Sequence, residues 1–358
     1  MPQIVYVDPS AVKNGDGSLQ NPLNTWLGMT FVPGNVYLQK AGTRFDANIV
    51  VNGQGTADAP VTIGSYGAGS PPEAKGVWFD GASYTTLSGF KIDHNTQWAS
   101  VAIAGGSHHI TISGNDISDS ISGVAIAEYA GSDNIVIGNN IHDNVYFGIT
   151  LENLSGSELI QGNHIQDNGG DGIHLECNNA IVHHNVVQSN GNLIPGSSGI
   201  HTLTHRDADV GNHNVISHNA VLDTSDSGSG DGNGIQLDEW THDNLVTQNL
   251  IMGNDGVGVS LYGAQNSQVL DNLISKNQLG NFAQHGIHAE IAVSSNASQL
   301  SLASGNLVAR NFIDPGAGLD WPIYTDSGYS IVGSGTNATF LSNEVGPVTV
   351  QNFFDWAG

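Results

Sequence analysis

A chain of 358 residues with 8 Lys+Arg against 33 Asp+Glu carries a formal net charge of −25, which excludes the basic surfaces that hold nucleic acid or anionic membranes. No stretch approaches the roughly 20 apolar residues of a membrane-spanning helix. The 47 Gly against 11 Pro point to many turns rather than a disordered tract, and the lone cysteine, Cys177, permits no internal disulfide and leaves stability to packing and strand pairing.

In chain order, Val5-Tyr-Val-Asp8 reads as a first strand and Asn14-Gly-Asp-Gly-Ser18 as a turn. Asn21-Pro-Leu-Asn-Thr-Trp-Leu-Gly-Met29 is expected to form a short helix over the first rung, because the apolar end of a stacked fold needs a cap. Val36–Lys40, Ile49–Val51 and Val61–Ser65 are short strands between Gly/Asp turns. No classical signal peptide is visible in the chain as given; its acidity with few lysines fits a secreted or extracellular protein. With no linker, one domain over 1–358 is expected, about 1–60 being cap and first coils and about 87–345 regular coils.

From there one phrase returns: Gly123-Val-Ala-Ile-Ala-Glu128, Gly148-Ile-Thr-Leu-Glu152, Asp171-Gly-Ile-His-Leu-Glu176, Gly199-Ile-His-Thr202, Gly234-Ile-Gln-Leu-Asp-Glu239, Gly256-Val-Gly-Val-Ser260 and Gly286-Ile-His-Ala-Glu290. A second column places an Asn two residues before an aliphatic one, at Asn115, Asn139, Asn163, Asn185, Asn219, Asn249, Asn272, Asn311 and Asn343, with intervals of 24, 24, 22, 34, 30, 23, 39 and 32. Units of about this size, holding short aliphatic strands and no helix-length pattern, define the coils of an all-β parallel β-helix. The Asn column is expected to stack, each amide bonding the next coil's.

Coils repeat about every 4.8 Å, so columns of sequence become lines in space. Two places after the glycine the line reads Ala125, Thr150, His174, His201, Gln236, Gly258, His288; four places after, Ala127, Glu152, Glu176, Leu203, Asp238, Ser260, Glu290. Both are expected to face solvent. The change from alanine to ionisable residues marks a site between about residues 150 and 290. His174, Gln236, His288 and Glu290 are candidate substrate contacts, joined by Trp240 and Tyr262 as stacking platforms. The inserts at His205–Asn212, Asp223–Asn233 and Gln278–His285 are expected to wall a groove.

Two chemistries fit. Glu152, Glu176 and Asp171 form an all-oxygen set suited to Ca²⁺, or a plain anionic ridge. Glu176 and Asp238, two coils apart and hence about 9.6 Å by the same spacing, lie near the range of an acid/base carboxylate pair, with Glu239 beside them. Elimination from a uronate instead needs a base and a fixed positive charge, for which His201, His205 and Arg206 are candidates. Cys177 follows Glu176 with inward parity and reads as a small buried residue.

The Gly-Ile-x-Leu and Asn-x-Ile coils, with Tyr6-Val-Asp-Pro9, Gly15-Asp-Gly-Ser18 and Asn21-Pro22 at the start, resemble the right-handed parallel β-helix carbohydrate-active enzymes: polysaccharide lyases, C5-epimerases and glycoside hydrolases. The resemblance implies a polysaccharide laid along one sheet, with Ca²⁺ in the lyases. It transfers no catalytic residue. Asp8-Pro9 and Asp314-Pro315 are followed by Ser and Gly, so the epimerases' Asp-Pro-His is missing, and no lysine matches the lyase base. The expectation is a monomeric lyase of a uronate-containing polysaccharide, with a glycoside hydrolase as alternative and a non-catalytic glycan-binding β-helix third.

Overall fold

The computed structural model describes the chain except residues 1, 155, 205–208, 229, 280–288, 296–301, 316–320, 326–337 and 348–358. Its contacts divide it into two compact units, Met1–His164 and Ile165–Gly358. Among the described residues every element is a strand, and no helix is long and apolar enough to cross a membrane.

Each unit is a stack of parallel β-helix coils, and a coil is a run of short strands. In Met1–His164 one coil comprises Asp116–Ser118, Ser122–Ile126 and Ile135–Ile137. Each strand pairs in parallel with its counterparts before and after: Ile117 with Ile92 and Ile141, Val124 with Val101 and Ile149, Val136 with Ile112 and Ile160. In Ile165–Gly358 the same pairing builds an unbroken file through Ile173, Ile200, Ile235, Val259, Ile291 and Ile323, all fully buried. The alternation of strand side chains turns these β-branched residues inward, where each contributes about 1.5–3 kcal/mol by leaving water.

The expected strands at Val36–Lys40, Ile49–Val51 and Val61–Ser65 are present, the last two within longer strands, Arg44–Val51 and Val61–Tyr66. The expected helix at Asn21–Met29 is not: that segment consists of turns and bends. Aromatic anchoring replaces it. Trp26 donates to Gln39 at 2.6 Å, Trp26 stacks on Phe31 at 6.3 Å, and Phe31 packs 4.8 Å from Tyr37. The segment has no apolar period to support a helix, and three large rings cover apolar surface without one.

The Asn column stacks as expected. Within Met1–His164, Asn115 Nδ2 donates to Asn139 Oδ1 and Asn139 Nδ2 to Asn163 Oδ1, both at 3.0 Å. Within Ile165–Gly358 the chain of amides runs Asn185, Asn219, Asn249, Asn272, Asn311, Asn343. Two further ladders escaped the sequence reading. One joins Asn168 to Asn190, Thr224 to Asn254, Asn254 to Asn277, and ends on Glu290. The other joins Asn134 to Glu158 in the first unit and Asn214, Asn244, Ser267 and Asn306 in the second.

Glu290 therefore corrects an expectation. Its side chain is fully buried and accepts from Asn277 rather than facing a substrate. The register explains it: Gln236 pairs with Ser260, and Ser260 with Ala292, so the coil glycine is Gly258 rather than Gly256, two residues on, and in the last coil the line passes through Ala292, four residues past the expected position. At Gly258, as at Gly172, Gly199 and Gly234, an added Cβ would collide with an aliphatic side chain of the following coil. Gly256 carries no such constraint from Ile274; its neighbours are Asp231 and Asn233.

The ladders have measurable consequences. Asn219→Ala would strand the Asn185 N–H and take one donor each from the Val182 carbonyl and the Asn249 amide oxygen, the latter keeping the Asn219 backbone N–H, and urea denaturation should show a loss of about 2–4 kcal/mol, since each stranded group costs about 1–3 kcal/mol. Burial lifts the Glu158 carboxyl from 4.5 to about 8 despite hydrogen bonds from Asn134 and Asn153. The unfolded chain sheds this proton at lower pH than the folded one, so stability is full below the unfolded value and falls as pH rises toward about 8. Glu158→Gln should flatten that fall, read from urea midpoints measured at about pH 5 and about pH 9.

Candidate functional site

The site is built within Ile165–Gly358 on adjacent strands, Ile173–Leu175, Ser198–Thr202 and Asn233–Leu237. Parallel register places His174 beside His201 and His201 beside Gln236. His174, His201 and Gln236 thus form the expected line. It is covered rather than open, with His201 5% and Gln236 6% exposed.

Asp171, just before the coil glycine, holds the line together. Its Oδ1 accepts from the Ser198 backbone N–H at 2.6 Å. Its Oδ2 lies 2.7 Å from His174 Nδ1 and 3.3 Å from His201 Nδ1. The far nitrogens of both rings reach partly exposed carboxylates: His174 Nε2 lies 3.4 Å from Glu176 Oε1, and His201 Nε2 3.3 Å from Asp238 Oδ2. One buried carboxylate, two imidazoles and two carboxylates at the surface form a continuous chain.

Electrostatics follow from that geometry. Burial works against a charged His201, yet Asp171 and Asp238 outweigh it and raise its pKa to about 10. His174 is raised too, burial again opposing and Asp171 and Glu176 prevailing. Burial disfavours the Asp171 carboxylate, but His201 and His174 reverse this and hold it well below the ordinary range.

The remaining expected residues fall variously. Gln236 is a brace, accepting from Ser198 Oγ at 3.0 Å and Asn233 Nδ2 at 2.7 Å. Asp238 also accepts from the Glu239 N–H at 2.8 Å, which sets Glu239 at the start of the turn after the strand. Trp240, in that turn, is 44% exposed with φ of 67°. Tyr262 ends the strand Val259–Tyr262 and occupies the row of Asp238, one coil on, since Leu237 pairs with Leu261. Glu152 belongs to the Met1–His164 unit, where Thr150 Oγ1 donates to it at 3.3 Å. His205, Arg206 and His288 lie outside the described residues. Cys177 is buried, as expected.

Among the described residues, two groups bring three metal-ligating side chains together: Asp171/His174/His201 and the more exposed His213/His242/Asp243. The expected Ca²⁺ set of Glu152, Asp171 and Glu176 is not one of them. Asp171 has turned toward nitrogen donors, which suit Ca²⁺ poorly. The sequence held a signal for the Asp171 contacts: a polar residue stands immediately before three successive coil glycines, at Asp171, Ser198 and Asn233.

Stacked parallel coils with a polar, partly buried cluster on one sheet define a β-helix protein with a built site. The chain belongs to the right handed beta helix region family, whose model matches residues 75–229 and 210–345. Among similar solved structures is the GH136 lacto-N-biosidase from Eubacterium ramulus, 15% identical with a TM-score of 0.68, covering 97% of this chain and 68% of that one. The A-module of the Azotobacter vinelandii mannuronan C-5 epimerase AlgE4 is 17% identical with a TM-score of 0.64, covering 88% of this chain and 87% of that one. Pectate lyase Pel9A is 16% identical with a TM-score of 0.51, covering 97% and 77%. At these identities the likeness is one of fold. No curated protein matches this chain by sequence.

Asp171→Ala should cost about 3 kcal/mol in urea unfolding, because it leaves two buried imidazoles and the Ser198 N–H without their partner. Asp238→Ala, at a partly exposed carboxylate, should cost clearly less.

Proposed function

We propose that this chain is a polysaccharide-degrading enzyme that hydrolyses glycosidic bonds along the strip containing Glu176, Asp238 and Tyr262. The observation that carries the reading is the pair of partly exposed carboxylates, Glu176 and Asp238, each hydrogen-bonded to an imidazole from beneath. Their strands lie two coils apart, about 9.6 Å by strand spacing, close to the roughly 6.5–9.5 Å at which one carboxyl protonates the leaving oxygen while the other activates water. A separation of that order is the one used by inverting rather than retaining enzymes. Tyr262, beside Asp238, supplies an aromatic face for a sugar ring.

Charge favours this over β-elimination on a uronate, the expectation drawn from sequence. The whole chain, at −25, repels an acidic polymer. His205 and Arg206, on which elimination was based, lie outside the described residues. Likeness to the GH136 fold is compatible with hydrolysis, as likeness to Pel9A is with elimination.

A panel of neutral and uronate-containing polysaccharides, read for new reducing ends and for ultraviolet absorbance of unsaturated uronates, tests this. Reducing ends without absorbance are expected, with Glu176→Gln and Asp238→Asn each lowering kcat/KM by about 10²–10⁴-fold. Unsaturated products would replace hydrolysis by elimination, and unchanged turnover in both variants would move the site elsewhere.

A further inference from the structure

We propose that Asp171, His174 and His201 form a site for one divalent transition-metal ion of the Zn²⁺ class. Their ligand atoms all lie within 4.8 Å of one another. Both Nδ1 atoms converge on a single oxygen, Asp171 Oδ2, at 2.7 and 3.3 Å. The side chains are 3%, 12% and 6% exposed, and His201 Nδ1 is buried without a hydrogen-bond partner. Two imidazoles whose ring centres lie 6.0 Å apart thus aim their near nitrogens at one carboxylate oxygen. Held as cations they would repel each other; as neutral ligands they would offer lone pairs to one ion, whose charge also satisfies the buried Asp171.

The surrounding contacts complete the arrangement. A metal-bound histidine usually donates its other ring N–H to a carboxylate or carbonyl, which fixes tautomer and ring orientation. Here His174 Nε2 faces Glu176 and His201 Nε2 faces Asp238, so both rings have that partner once Nδ1 is the ligand. Asp171 is fixed in turn through Oδ1 by the Ser198 N–H. Two nitrogens and one carboxylate suit Zn²⁺ and its first-row neighbours, whereas Ca²⁺ takes six to eight oxygens. Three protein ligands would leave a coordination position open, the pattern of sites at which a metal meets water or substrate.

This inference does not depend on glycan hydrolysis, because metal binding is read on the protein alone. The full chain, stripped with a chelator and dialysed, is titrated with Zn²⁺ by calorimetry and with Co²⁺ by visible absorption; Ca²⁺ serves as comparison. One Zn²⁺ per chain is expected, with Co²⁺ giving ligand-field bands and Ca²⁺ failing to displace it. His174→Gln and His201→Gln should each weaken Zn²⁺ at least about tenfold, while His242→Gln, in the exposed cluster, leaves it unchanged. Circular dichroism checks that the variants fold; should either histidine variant fail, Asp171→Asn takes its place in the same titration. Absence of stoichiometric Zn²⁺ or Co²⁺ binding by the folded wild-type chain, or loss of binding in His242→Gln instead, would overturn the proposal.

Discussion

Parallel pairing between equivalent strands of successive coils is the constraint on which the rest depends. It brings every coil position beside its counterpart about 4.8 Å away, and this turns a loose sequence repeat into physical files. The file from Ile173 to Ile323 is a core because each member stacks on a fully buried neighbour. The Asn ladders are the polar form of the same rule. A turn amide has donors and acceptors that need partners when buried, and the next coil's amide supplies them at a fixed distance.

The same regularity makes the site. His174 and His201 occupy one line because their strands pair residue for residue, and the shared carboxylate beneath them comes from the position just before the coil glycine. A repeat that places aliphatic residues and amides nearly everywhere else places Asp171, His174, Glu176, His201 and Asp238 here. That concentration of charge has an electrostatic cost, which the burial of Asp171 heightens, and it is offset only because each charged group meets an opposite one. Glu158 and Glu290 show the other solution. Where a ladder ends on a carboxylate with amide partners, burial raises its pKa, to about 8 and about 7 respectively.

The wide separation between fold and function in this architecture follows from these two layers. Inward positions obey the stack, and the fold is similar to that of a lacto-N-biosidase, a mannuronan epimerase and a pectate lyase at about 15–17% identity. Outward positions are free of it, so chemistry changes without disturbing the core. On the proposed site, charge rather than fold argues between hydrolysis and elimination.

The sequence by itself determined the coil architecture, the aliphatic core and the first Asn ladder, because periodic spacing maps directly onto stacked strands. It also gave the line His174, His201, Gln236, whose coils keep one register. Tertiary structure decided the rest. It showed that Gly258, not Gly256, is the coil glycine, since the strand pairing sets Gln236 beside Ser260, and the same register puts Glu290 inside against Asn277. It replaced the expected cap helix by an aromatic cluster around Trp26, Phe31 and Tyr37. It also showed Asp171 as the shared partner of two imidazoles. Sequence spacing assigns a residue to a face, but the direction of a carboxylate is set by the donors that surround it, and those come from other coils.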